Sequence, residues 1–438
     1  MAVVVVVVLA VLGVAGWRQH WPPVLFGKTT PPPLAWTAAK APLPADAVGG
    51  SSQNAQLEAI SCPATGSCVA VGWYEAGDGS GNVDKAVTET LSDGAWSAAA
   101  APGLTASQDG TASLVGVACP AEGNCVAVGD RTSSQGVFIP EIETLSAGTW
   151  TVASAALPGD ADQGKSAYVN DVACPASGTC VATGRYTDSS GVSQGLLETL
   201  SGGTWTAVKA PLPGGADPAK ASSQTGTFLT DVACTAVGTC VASGQYTDSG
   251  GGTQGVIDTL SGGTWTTAKA PLPGDAATSG QLASLWAITC QAPGSCLAGG
   301  HYVSQHGQPG YLTETLSGGA WTAAAAPLPA DAAADQEWSK EQATSLDGVA
   351  CRAAGSCVAS AAYVARSGAI APAIDTLSGG TWTAADAPLP GGAAQGTKQI
   401  GYLTLVACPA SGSCLTVGSY TAGGGGTQGL IETAVASR

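Results

Sequence analysis

The sequence predicts an all-β protein: a seven-bladed β-propeller of four-stranded antiparallel blades, one disulfide per blade, with an N-terminal strand completing the last blade. Three observations carry this. Fourteen cysteines fall into seven pairs with five residues between partners, and the first members of successive pairs are 57, 55, 60, 56, 61 and 57 residues apart. A Leu-Ser-x-Gly-x-Trp run recurs out of phase with them, its tryptophans at Trp96, Trp150, Trp205, Trp265, Trp321 and Trp382. The last cysteine pair is followed by one strand-like run and no Trp run, whereas Leu34–Pro44 supplies a Trp run with no cysteine pair before it. A fixed long period is the signature of a repeat architecture.

The clearest repeat runs from Thr230 to Pro273 and parses into four short strands. Strand a is expected over Asp231–Cys234 and, after a tight loop, strand b over Cys240–Tyr246. Strand c follows over Gly255–Leu260 and strand d over Trp265–Ala270, ended by Pro271-Leu272-Pro273. Ser261-Gly262-Gly263-Thr264 is a hairpin turn between c and d, with glycine where positive φ is needed. Four antiparallel strands per repeat make a propeller blade, and seven repeats make the ring. Leu34–Pro44 then becomes strand d of the seventh blade, which hides an edge that an open sheet would expose. The propeller is assigned to residues 34–438.

Residues 1–21 read as a signal peptide or membrane anchor. Ala2–Ala15 is an uncharged apolar run, shorter than the ~20 residues of a bilayer span, with Trp17, Arg18 and Trp21 as interfacial anchors. Residues 22–33 form a stiff Pro-rich linker. The chain is therefore expected outside the cytoplasm, secreted or held at the outer face of the membrane, as a monomer touching the membrane only through this segment.

The cysteine pairs are Cys62/Cys68, Cys119/Cys125, Cys174/Cys180, Cys234/Cys240, Cys290/Cys296, Cys351/Cys357 and Cys408/Cys414. Each brackets five residues, such as Pro175–Thr179, and faces its partner across the a–b hairpin at a separation a disulfide can span. An even count, regular spacing and an export signal favour disulfides over zinc, whose pairs usually have two to four intervening residues and need a second pair nearby. No metal or other cofactor is expected.

Charged residues make up 11% of the chain and the formal charge is −16, which excludes the basic footprint of a nucleic-acid binder. The Ser-x-Gly-x-Trp turn between strands c and d resembles a degenerate Asp-box, the motif of sialidase-like propellers; its Asp survives once, at Asp93. The unit as a whole resembles repeat proteins of exported bacterial proteomes, a largely uncharacterised group. This resemblance covers residues 34–438 and implies architecture, not activity. Sialidases use an arginine triad, and here Arg131, Arg185 and Arg366 are the candidates, without matches at the family's other positions.

Each blade also carries an acid in strand c: Glu89, Glu143, Glu198, Asp258, Glu314, Asp375 and Glu432. Seven symmetric copies cannot form one active site, so a repeated structural hydrogen bond is expected. His301 and His306 read as surface or hydrogen-bonded histidines. Asp78, Ser80, Asn82 and Asp84 alternate like the start of a calcium loop but lack its later glycine and glutamate, which favours a polar turn.

Internal comparison locates the candidate site. The face of the a–b and c–d turns is monotonous, whereas the face of the b–c and d–a loops varies. Five residues after the second cysteine stand Trp73, Asp130, Arg185, Gln245, His301, Ala362 and Ser419. The next position is tyrosine except for Arg131. Four residues before the first cysteine stand Glu58, Val115, Asn170, Thr230, Trp286, Asp347 and Thr404, and Trp338 lies in a d–a loop. The candidate ligand-binding residues are Trp73, Asp130, Arg131, Arg185, Gln245, His301, Glu58, Trp286, Trp338 and Asp347. Surface tryptophans suit stacking against sugars or peptides. The expected function is non-catalytic binding of an extracellular protein or glycan at this face. The alternatives are a glycan-cleaving hydrolase or lyase on the same face, favoured by an acid pair there, and a tethered sensor ectodomain.

Overall fold

The computed structural model describes residues 33–77, 82–102, 110–220, 226–333, 344–410 and 412–436. The expected N-terminal segment, Trp338 and the first half of the calcium-like loop lie outside these residues. The described strands form seven four-stranded antiparallel sheets. Blades 1–6 span residues 55–100, 112–154, 167–209, 228–269, 284–326 and 345–386, and blade 7 combines 401–436 with 34–40. Strand a of every blade touches strand a of the next, and the first touches the last, so these strands line the axis of a closed ring.

Blade 4 shows how the repeat builds a sheet. Strands Phe228–Ala236, Thr239–Thr247, Thr253–Ser261 and Thr264–Lys269 pair in sequence, with Cys234 opposite Cys240 and Leu260 opposite Trp265. The c–d turn takes φ of 58° at Gly262 and 80° at Gly263. Asp93 and Ala147 occupy the first of these turn positions in blades 1 and 2 at φ of 51° and 50°. The left-handed region is costly for residues with a Cβ, though aspartate tolerates it better than alanine.

The hydrophobic core lies between blades rather than within them. One cluster joins Val181 and Leu197 of blade 3 to Leu229, Val232, Tyr246 and Val256 of blade 4, and its equivalents recur around the ring.

All seven cysteine pairs are disulfides: Cys62–Cys68, Cys119–Cys125, Cys174–Cys180, Cys234–Cys240, Cys290–Cys296, Cys351–Cys357 and Cys408–Cys414. No free cysteine remains among the described residues. Their setting corrects one expectation. The cysteines do not bound a five-residue loop: strands a and b run past them, in blade 4 to Ala236 and from Thr239, which leaves Val237-Gly238 as the turn. The second member of each pair is therefore a strand-b core residue. Cys68, Cys125, Cys180, Cys240, Cys296, Cys357 and Cys414 are all buried, each within one of the clusters between blades. Of the first members, Cys119 is buried and the other six are partly buried. A small sulfur side chain is at home in such a core. These cysteines thus hold the scaffold and take no part in the candidate ligand face. Seven disulfides point to an oxidising, extracytoplasmic setting. Among the described residues, no helix is long and apolar enough to cross a membrane.

The ring closes where the sequence places the closure. Leu34–Lys40 pairs antiparallel with Thr427–Ala436, setting Trp36 opposite Ala434. Leu34, Trp36 and Ala38 pack on the cluster between blades 6 and 7. At about 1.5–3 kcal/mol per large buried apolar side chain plus the ladder bonds, removing residues 34–44 costs about 5 kcal/mol. The expected result is one cooperative transition at a lower denaturant midpoint. A curve unchanged by the deletion contradicts the closure.

The strand-c acids depart from expectation. All seven are fully buried, but the repeated hydrogen bond is not repeated. Glu198 accepts from the backbone N–H of Ala156 at 3.1 Å. At the matching place other linkers carry Pro42, Pro102, Pro211, Pro271, Pro327 and Pro388, which have no N–H to give. Among the described residues, Glu89, Glu314, Asp375 and Glu432 have no hydrogen-bond partner at either carboxyl oxygen. Burial pushes Glu89, Glu198, Glu314, Asp375 and Glu432 up to about 8, so these side chains are largely neutral at pH 7, and Asp258 to about 7.

Candidate functional site

Every strand a carries a register shift at the same place, for example between Leu229 and Asp231. The residue passed over is Glu58, Val115, Asn170, Thr230, Trp286, Asp347 or Thr404 in blades 1–7. A bulge adds one unpaired residue and re-aims its side chain. Here all seven bulge residues line one axial cavity of about 500 Å³, within the range of small-ligand sites. Strand b gives way behind the bulge: a Cβ on Gly184 would lie 2.0 Å from the Tyr168 carbonyl oxygen, and glycine takes this place in every blade except blade 6, which has Ala361.

Three bulge side chains join neighbouring blades. Asn170 donates to the Leu229 carbonyl at 2.6 Å, Thr230 to that of Leu285 at 2.6 Å, and Thr404 to that of Leu57 at 3.1 Å. The residue after the bulge adds two more links. Asp171 accepts from Val232 N–H at 3.2 Å and Asp231 from Ile288 N–H at 2.7 Å, each across a blade boundary. The two carboxyls also bond to each other, and burial followed by the charge of Asp231 raises Asp171 well above its usual range.

The remaining lining is lopsided. Blades 3, 4 and 5 contribute an arc of Tyr168, Phe228 and Trp286. The Arg185 guanidinium lies over the Tyr168 ring at 4.3 Å and 5.6 Å from the Phe228 ring centre, and Phe228 meets Trp286 at 6.0 Å. Glu58, Asp130 and Asp347 come from blades 1, 2 and 6. Burial pushes Asp130 up to about 6 against the pull of Arg185, and Asp347 to about 7 against its hydrogen bond with Ser345. Burial also raises Glu58, opposed by hydrogen bonds from Gln56 and Trp73.

Of the ten sequence candidates, Glu58, Asp130, Arg185, Trp286 and Asp347 line the cavity. Trp73 stands beside it as a partner of Glu58. His301 backs the wall: its Nδ1 accepts from the Trp286 indole at 2.9 Å, and burial lowers it to about 4, so it is neutral. Gln245 is buried and donates to the Gly226 carbonyl. Arg131 occupies a different slot and pairs with Glu141 at 2.7 Å. In the other six blades that slot holds tyrosine, and in four of them it clamps the preceding linker: Tyr74 donates to Asp46 at 2.9 Å, Tyr186 to Asp160 at 2.8 Å, Tyr302 to Asp275 and Tyr363 to Asp331. Arg366 donates to the Ala330 carbonyl, so the three arginines do not converge. Trp338 lies outside the described residues. No three His, Cys, Asp or Glu side chains among the described residues form a metal-holding group.

Tyr168, Phe228, Asp171 and Asp231 were not among the candidates. A signal for the bulge exists in the sequence. Buried apolar residues of a strand normally stand two apart, yet Leu57 and Ile60, Leu114 and Val117, Leu229 and Val232, and Leu285 and Ile288 stand three apart. That spacing marks the inserted residue, and the aromatics lie two positions before it.

The fold and site define a seven-bladed β-propeller with one asymmetric axial cavity. No family model matches the chain, and no curated protein matches it. Among solved structures it is similar to an ulvan lyase of polysaccharide lyase family PL25 bound to -[GlcA(1-4)Rha3S]-, at 9% identity over 87% of this chain and 96% of that one, with a TM-score of 0.51. A protein of unknown function from Dyadobacter fermentans matches at 12% identity over 91% and 99%, TM-score 0.46, and the Trypanosoma rangeli sialidase at 10% over 91% and 59%, TM-score 0.43. At these identities the likeness is one of fold.

Proposed function

We propose that the axial cavity binds a glycan, with the protein acting outside the cytoplasm. The observation that carries this is the convergence of all seven bulge residues on one cavity whose halves differ. Asn170, Thr230 and Thr404 tie neighbouring blades together, whereas Glu58, Val115, Trp286 and Asp347 differ from blade to blade, as one asymmetric ligand would use them. A sugar ring has an apolar face and an equatorial belt of hydroxyls. The arc of Tyr168, Phe228 and Trp286 suits the first, and Glu58, Asp130 and Asp347 accept hydrogen bonds from the second.

A glycan-array screen of residues 31–438 tests this. Trp286→Ala is expected to fold and to weaken binding of the array hits at least tenfold, as truncating a central aromatic anchor costs about 2 kcal/mol or more. Undiminished binding removes Trp286 from the site.

A second reading, glycan cleavage, is favoured by one observation. Burial raises Asp347 to about 7, so it is partly protonated near neutral pH as a general acid must be, while Asp130, raised to about 6, is mostly ionised there as a base would be. Release of new reducing ends or unsaturated products from an array hit, lost in both Asp130→Asn and Asp347→Asn, separates cleavage from binding.

A further inference from the structure

A second cavity of about 430 Å³ lies on the same face, at the junction of blades 3 and 4. Its lining includes Ser166, Thr187, Ser193, Pro218 and Ala219, and it shares Tyr168 and Arg185 with the axial cavity. The two spaces thus meet at one stacked pair of side chains. Their chemistry differs: the axial cavity is lined by five carboxyl side chains, Glu58, Asp130, Asp171, Asp231 and Asp347, whereas the described residues lining the outer one include no Asp or Glu.

Arg185 differs from the other described arginines. Arg131 is paired with Glu141, Arg352 donates to Ser356, and Arg366 donates to the Ala330 carbonyl. The Arg185 guanidinium has no hydrogen-bond partner among the described residues. Its contacts are the faces of Tyr168 and Phe228 and the longer-range charge of Asp130 in the axial cavity. A guanidinium that stacks through its face keeps its N–H edge for a planar anion, and that fork matches a carboxylate or sulfate bidentately.

Building on the reading of the axial cavity as a glycan site, we infer that the bound chain continues outward through the cavity between blades 3 and 4 and carries an anionic substituent, carboxylate or sulfate, that Arg185 reads. The ligand class is an acidic oligosaccharide at least two residues long. Its neutral ring occupies the axis, and its charged substituent sits at the junction of the two cavities. Arg185 is then the residue that selects acidic over neutral chains.

The test is a binding titration of residues 31–438 against a panel of uronate oligosaccharides, their carboxyl-reduced counterparts and sulfated neutral oligosaccharides. The wild-type protein is expected to prefer an acidic member over its neutral counterpart at least tenfold, since hydrogen bonds to a charged group are stronger than those to a neutral one. The uronate and sulfate arms report which anion it takes. Arg185→Gln is expected to abolish the preference, weakening binding of the acidic member at least tenfold more than that of its neutral counterpart. Arg185→Lys keeps the charge without the fork and is expected to retain part of the preference, and it stands in if the Gln variant fails to fold. Equal wild-type affinity for acidic and neutral chains overturns the inference but leaves the axial site intact, as does a preference that survives Arg185→Gln. Failure of every panel member to bind overturns both.

Discussion

Reducing the seven disulfides is expected to unfold the protein under conditions where the oxidised form is fully native. Each bond joins partners six residues apart. In the chain-entropy treatment a loop this small stabilises by about 2 kcal/mol, so seven together supply roughly 14 kcal/mol. That is comparable to the whole net stability of a typical domain, about 5–15 kcal/mol. The packing is least able to replace it between blades 5 and 6, where the cluster is rich in alanine: Ala287, Ala359, Ala361, Ala365, Ala369, Ala371 and Ala373. Circular dichroism during titration with a reductant, with thiols counted in parallel, checks the expectation. Loss of β signal should accompany the appearance of free thiols. A fully reduced protein that keeps its spectrum and thermal transition contradicts it.

The second large effect is a stability that falls as pH rises. Glu89, Glu198, Glu314, Asp375 and Glu432 have carboxyls held near 8 by burial, against an unfolded value near 4.5 for Glu and 3.8 for Asp. Between those limits the folded state binds more protons than the unfolded state, so the slope of stability against pH is negative. Below the unfolded values both states are protonated and no penalty remains. Above about 8 both are ionised and the dependence flattens. Each carboxyl contributes a slope of up to about 1.4 kcal/mol per pH unit. Thermal midpoints are therefore expected to be higher at pH 5 than at pH 8. Glu314→Gln should reduce the slope, whatever its effect on absolute stability. A midpoint that rises between pH 5 and 8, or a slope indifferent to Glu314→Gln and Glu432→Gln together, runs against the account.

Most of the architecture was legible because the repeat exposes it seven times. Cysteine spacing located the a–b hairpins, and Gly-Gly turns located the c–d hairpins. The displaced Trp run at Leu34–Lys40 revealed the closure. Spacing alone did not show that the strands run on past the cysteines, because a five-residue interval fits a loop as well as a two-residue turn with paired flanks. Strand a was harder. The expected start at Asp231 falls three residues after the observed start at Phe228, because the bulge at Thr230 breaks the two-residue alternation on which strand reading depends. The same break hid Tyr168 and Phe228. Variation among repeats found the bulge positions but could not say which were free. Asn170, Thr230 and Thr404 are engaged in blade-to-blade hydrogen bonds, while Glu58, Trp286 and Asp347 face the cavity with different chemistry. Arg131 was misread for a related reason. It looks exceptional because it replaces a tyrosine, but it pairs with Glu141 in strand c of its own blade and lies outside the cavity lining. The strand-c acids were legible as structural, whereas their missing donors were not. That depends on the linker residue at the place of Ala156, which is proline in the other six linkers.

The central claim is that seven inner-strand bulges compose one ligand site at the axis. Hydrogen exchange with and without a saturating array hit tests it most directly. Protection is predicted at the bulge segments of several blades at once, around residues 56–59, 168–171, 228–231, 284–287 and 345–348, with the cysteine hairpins on the opposite face unchanged. Protection confined to those hairpins or to the outer strands of a single blade would contradict the account.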